Sequence, residues 1–385
     1  VNGPDVWENS ARELSGRDLY GSLSLVTQLA ERVRAFMRKE RYDALLVSTR
    51  ANFSWLTGGR DHHIVNASEY GVARLVMMED RITCVTTSME ERRIAEEELA
   101  TLGIEVVAPA WTEGMEKTLS EWLRGKRVAS DGFEPYARHV GEELSQLRRS
   151  LTDQQREQYR HVCLTAAQAI ETVARQLRPG LTEHEIAAML ASRVMAAGCA
   201  PVVTLVATDE RIFRYRHPIP TDKPLERYAM LVLCAERFGL VANVTRFVHF
   251  GSLSEELLEN RAKCAFIDVR MNAETRPGRT VADVFAVAVE AYRQVGYADD
   301  WKLLHQGGPT GYASREYLAT ADSRDVIKVH QAFAWNPSIR GVKSEDTILV
   351  GEKDNEFLTQ TGTWPCQTVE YHGQIYERPD ILILE

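Results

Sequence analysis

The apolar positions Leu25, Val26, Leu29, Val33, Phe36 and Met37 recur at three- and four-residue intervals, which predicts one amphipathic helix. A short apolar run, Ala44 to Val47, follows and reads as a buried strand. Further strand patterns lie at Val72–Met78, Ile82–Thr86, Ile104–Ala108 and Val128–Ser130, with charged helical stretches such as Met89–Leu102 between them. Strands alternating with helices predict an α/β layer. Residues 1–22 are polar and irregular and read as a mobile arm.

Near Arg148–Thr152 the pattern changes. A long helical stretch, Asp153–Gln176, ends at the stop signal Arg178-Pro179-Gly180. Thr182 and Glu185 form a capping box that opens another helix, to about Ala197. Strands are predicted at Ala229–Cys234 and Leu240–Phe250, helices at Ser254–Asn272 and Val281–Val295, and strands again at Val326–Trp335, Thr347–Val350 and Glu356–Thr359. Helices first and strands after predict an α+β domain with antiparallel pairing. The expected organisation is therefore an α/β domain over 1–150 and a larger α+β domain over 151–385.

At 385 residues the chain is too long for one ordinary core, which agrees with two domains. A net charge of −9 argues against sequence-independent nucleic-acid binding, which needs clustered Lys and Arg. The six cysteines are scattered without a CxxC pair, so neither a zinc ribbon nor a disulfide framework is expected. No apolar run approaches the roughly 20 residues of a spanning helix. A cytoplasmic protein with no membrane or nucleic-acid partner is the expectation.

Several segments of the second half, taken in order, resemble the creatinase/prolidase/aminopeptidase P (pita-bread) family. They are the Pro-Gly–Thr-Glu entry at Leu177–Glu183, then Arg216-His217-Pro218, then Asn243-Val244-Thr245-Arg246. Gly307-Gly308-Pro309-Thr310-Gly311 with Arg315-Glu316 comes next, followed by Trp335-Asn336-Pro337-Ser338 and by Ser344-Glu345-Asp346-Thr347 with Leu358-Thr359. In the first half, Asn52 to Gly59, followed by Arg60-Asp61-His62-His63, is similar to that family's smaller domain. The resemblance implies a C-terminal pita-bread domain carrying the site and a homodimer. The N-terminal domain of one subunit is then expected near the other's site, which makes His62 and His63 candidate substrate contacts; the alternative is a solvated loop.

Peptidases of this family hold two divalent metals with two Asp, one His and two Glu. Here the second Asp position is Asn243. The first falls at Val232 counting back from Asn243, or at Cys234 counting forward from His217, a disagreement that a shortened hairpin would explain. The His position is Gly308 and the next Glu position is Asn336, so only Glu345 is retained. Neutral amides lack the charge to hold two dications, so no metal and no cofactor is expected. A single zinc on Cys234, His217, His305 and Glu345 is conceivable, although their spacing matches no ligand motif.

His217 and Glu345 occupy positions that creatinase, which works without metal, uses for its histidine and a glutamate. The resemblance therefore implies a metal-independent hydrolase of a C–N bond in a small polar nitrogen-containing molecule. His217 would be its acid/base, and Glu345 its orienting or base carboxylate. Creatinase has a further glutamate where Thr245 stands, so its substrate is not carried over. Substrate contacts are expected from Asn243, Thr245, Arg246, His305, Gly308, Arg315 and Asn336. Each has a plainer alternative: a turn for His217, an ion pair with Arg246 for Glu345, a pair with Glu316 for Arg315, and a core position for His305. Cys234 reads as a buried strand residue rather than a nucleophile. Two other readings stay open, a binding or scaffold protein and a dipeptidase-like metalloenzyme with unusual ligands.

Overall fold

The computed structural model describes residues 19–385, so most of the expected N-terminal arm lies outside the described residues. The chain divides into two compact units, one ending at Gln158 and the other running Tyr159–Glu385. No helix among the described residues is long and apolar enough to cross a membrane.

The first unit opens with the helix Leu23–Glu40, N-capped by the Ser22 hydroxyl and burying Leu25, Val26, Leu29, Ala30, Val33 and Met37. Its sheet contains β1 (Ala44–Thr49), β2 (Tyr70–Met77), β3 (Ile82–Val85), β4 (Glu105–Val107), β5 (Val128–Ser130) and β6 (Ala137–His139), in the order β4-β3-β2-β1-β5-β6. The central hairpins are antiparallel, and β4, β5 and β6 join in parallel. The long helix predicted over Met89–Leu102 is instead one α turn, Glu91–Arg93, and a π segment, Ile94–Glu98. In that segment only Ile94 is buried, so there is too little apolar face to hold more turns.

In the second unit the helix Glu183–Ala196 starts at the predicted Thr182/Glu185 capping box. A sheet of β7 (Ala200–Thr208), β8 (Tyr228–Arg237), β9 (Leu240–Phe250) and the last strand, Ile381–Leu384, follows the order last-β9-β8-β7. β8 and β9 are joined by the two-residue turn Phe238-Gly239, both at positive φ (58° and 74°), the geometry that suits a tight hairpin. A second sheet pairs Gly307–Thr310, Ala332–Trp335, Asp346–Leu349 and Glu356–Phe357 in that order. Helices Glu255–Glu274 and Val281–Gln294 supply Ile267, Met271, Val284, Ala288 and Tyr292 to a core shared with Phe333, Trp335 and Ile348.

Candidate active site

The β8–β9 register sets the floor of the site. Cys234 lies opposite Asn243, and Val232 opposite Thr245. The register therefore resolves the two sequence counts in favour of Cys234 as the neighbour of Asn243. Residues opposed in an antiparallel pair share a face. Val203 and Leu205 of β7, which pair with Cys234 and Val232, extend that face. Above it is a cavity of about 290 Å³ lined also by His217, His305, Ser314, Arg315, Asn336, Lys343 and Glu345.

Glu345 is buried and fully engaged. Its Oε1 accepts from Arg315 Nη2 at 2.8 Å, and its Oε2 accepts from Thr245 Oγ1 at 2.7 Å and pairs with Lys343 Nζ at 2.8 Å. Burial works to raise its pKa, but Lys343 and Arg315 outweigh it and hold the carboxyl at about 2. Glu345 is therefore not a general base, which corrects one of the two roles expected for it. Nor does it pair with Arg246. That guanidinium is buried and donates to Glu171, Asp346 and the carbonyls of Thr245 and Thr359, so four of its five N–H groups are taken up by residues outside the cavity lining. Arg246 belongs to the core, not among substrate contacts.

Arg315 does not pair with Glu316. Its Nη1 donates to Asn243 Oδ1 at 2.8 Å while Nη2 holds Glu345, so one guanidinium bridges two positions that the family resemblance matches to metal ligands. Asn243 is otherwise saturated: its amide donates to Thr310 Oγ1 and Val241 O, and its Oδ1 also receives the Cys234 thiol. Asn243 and Thr245 thus support the cavity from behind its lining. The Cys234 thiol is pushed up to about 12 by burial, which removes it as a nucleophile. Asn336 lines the cavity and is buried, its Oδ1 enclosed without a hydrogen-bond partner.

His217 is exposed on the cavity lining, with its ring centroid 5.5 Å from that of His305. Burial and then Arg315 push His305 down to about 4. Burial and Lys343 lower His217, with Glu345 pulling the other way. Both imidazoles are neutral at pH 7, so the fixed charges of the cavity are two cations against one carboxylate. Lys343, nearly as buried as Glu345, is a charged cavity residue that the sequence did not reveal.

The family's two divalent ions do not fit these residues. Of the positions that the resemblance matches to metal ligands, Glu345 alone is a carboxylate, and it is already held by two cations. At Gly308 a Cβ would lie 2.5 Å from the Tyr317 carbonyl oxygen, so main chain fills the place of the expected histidine, and Gly308 has no path to a substrate-binding role through a side chain. Among the described residues no three His, Cys, Asp or Glu side chains group to hold a metal, so the His217–His305–Cys234–Glu345 zinc alternative is not assembled.

In the first unit His62 is fully buried, stacked on Phe53 at 3.9 Å with Nδ1 2.7 Å from Ala73 O, and burial pushes it down to about 4. It packs the core and presents nothing to a substrate, contrary to expectation. His63 is half-buried between Asp61 and Asn66.

Comparison with known proteins sets this geometry beside relatives. Residues 157–352 match metallopeptidase family M24, and residues 30–178 match the creatinase/prolidase N-terminal domain. A Xaa-Pro dipeptidase of Pyrococcus furiosus is 22% identical, covering 86% of this chain and 97% of its own. The crystal structure of the prolidase from Pyrococcus horikoshii superposes with a TM-score of 0.75 at 20% identity, over 87% of this chain and 98% of that one. The X-Pro aminopeptidase of Thermotoga maritima gives 0.73 at 20% identity, over 92% and 99%.

Proposed function

Because this chain belongs to metallopeptidase family M24, matched over more than half its length, we propose that it is a hydrolase of that fold which cleaves a C–N bond without metal. The observation that carries the reading is a neutral His217 facing one cavity with a buried cation pair, Arg315 and Lys343, neutralised only in part by Glu345. Relatives bear the name Xaa-Pro dipeptidase. A dipeptide offers a carboxylate to the cationic wall and an amide to the histidine, so small amides with a nearby carboxylate are the substrate class.

His217 accepts a proton from water, and the resulting hydroxide adds to the amide carbon. Lys343 and Arg315 face the oxyanion that develops. Protonated His217 then delivers its proton to the nitrogen as the C–N bond breaks, which restores the neutral base. Glu345 keeps both cations in place.

The test is hydrolysis of a panel of Xaa-Pro dipeptides and related N-acyl amino acids by protein held in chelator. Turnover that persists in chelator and vanishes in His217→Gln supports the reading. Turnover that requires added Mn, Co or Zn, or that survives His217→Gln, sinks it. The saturation of Glu345 favours one second reading, a binding protein; tight binding of these compounds by wild type with no turnover identifies it.

A further inference from the structure

The Pro-Gly–Thr-Glu entry of the second unit lines no part of the cavity, and its helix start is already capped by Thr182 and Glu185. Glu183, the first residue of the helix Glu183–Ala196, is nevertheless fully buried. Its Oε1 accepts from Thr208 N at 2.8 Å and Thr208 Oγ1 at 3.2 Å, with Arg211 Nε 3.0 Å away. Its Oε2 accepts from Thr221 N at 2.9 Å and Thr221 Oγ1 at 2.7 Å. Thr208 ends β7, and Thr221 lies beyond His217 in the connection to β8. One buried carboxylate therefore closes the neck of the loop 209–220, with His217 inside it.

The same entry lays down the chain beside that neck. Leu225 N donates to Leu181 O at 2.8 Å and Glu183 N to Lys223 O at 3.1 Å. Within the loop, Arg211 Nη2 donates to Ile219 O at 2.8 Å and joins its two limbs. His217 has no such hold of its own. Its ring lines the cavity, 5.5 Å from that of His305, and no group among the described residues hydrogen-bonds it. A catalytic base is ordinarily oriented by a further side chain. Here the orientation has to come through the backbone.

We infer that Glu183 is a positioning residue for His217: by holding Thr208 and Thr221 together it keeps the imidazole at the cavity, without touching substrate itself. The inference rests on the proposed function only in taking His217 as the base. Were Glu183 merely a partner for Arg211, a change confined to Thr221 would leave His217 as it is.

NMR titration of the full chain, with carbon-13 in the histidine rings, tests this; the His217 signal is the one lost in His217→Gln. At the cavity, burial and then Lys343 lower the His217 titration, with Glu345 opposing and Arg315 adding to the effect. In Glu183→Gln the amide sets N–H against N–H at one end of the neck whichever way it turns. The loop then opens, and His217 should titrate closer to the ordinary 6.5. Thr221→Val keeps the buried charge and removes only a hydroxyl, so it should move His217 the same way, and the test does not hinge on Glu183→Gln folding. Where wild type turns over, Glu183→Gln should lower kcat about 10²-fold with KM nearly kept. A His217 titration unchanged in either folded variant overturns the inference, as does a lowered melting temperature with titration and kcat unmoved. An inactive wild type sinks the hydrolase reading and leaves the titration test in force, so the two failures are told apart.

Discussion

Lys343 shows where residue-scale reading stopped. A lysine beside Ser344, Glu345 and Asp346 reads as solvated, and nothing local announces that it is buried. Its burial shows only in the fold, where its Nζ meets Glu345 Oε2 at 2.8 Å. Glu345→Gln leaves both cations in a buried site without their counter-charge. Such a loss costs about 3–5 kcal/mol, to be read as a lowered urea midpoint with unchanged slope. The two histidines set the pH response. In the proposed mechanism His217 is a neutral base, and its pKa is lowered from the ordinary 6.5, so kcat/KM should hold its plateau below pH 6.5 and fall only in more acid solution. His305 takes up its proton near pH 6.5 when unfolded but only near 4 when folded, so stability declines as pH drops through that interval. Glu345, depressed to about 2 when folded, adds a further loss as pH falls below its unfolded value near 4.5. Acid titration followed by circular dichroism checks both. In His217→Gln, kcat should drop about 10²- to 10⁴-fold with the melting temperature preserved.

At the scale of elements, legibility followed burial on both faces. β5 and β9 coincide with their predicted bounds, and all but the last residue of β9 is buried, its polar Asn243, Thr245, Arg246 and His249 included. β7 was not foreseen. It carries Pro201, and its first half is only partly buried, so it lacks both alternation and a run. The hairpin Cys366–Tyr371 with Gln374–Pro379 also escaped, since its outward face is polar and exposed. The site suffered similarly: motif order located Asn243, Asn336 and Glu345, but only the β8–β9 register shows which residue stands beside Asn243. Gly308 offers an element-scale test. Gly308→Ala should destabilise the Gly307–Thr310 strand by about 1–3 kcal/mol, because its Cβ meets the Tyr317 carbonyl, and Gly308→His should confer no metal binding by elemental analysis.

For the whole molecule, the sequence carried the family and the two-part organisation, because both rest on many weak landmarks in a fixed order rather than on any one residue. The homodimer implied by the resemblance remains a proposal; light scattering at twice the chain mass supports it, and a monomer at micromolar concentration refutes it. An active protein purified from metal-depleted medium should show the same specific activity as one from supplemented medium.

The guanidinium bridging Asn243 and Glu345 has a consequence for the protein's life history. A bound ion must be acquired after synthesis, can be exchanged for a wrong one, and is surrendered when its supply fails. On the metal-free reading proposed above, Arg315 is made with the backbone, so every folded copy is born with its charge already in place and has no empty form for the cell to repair.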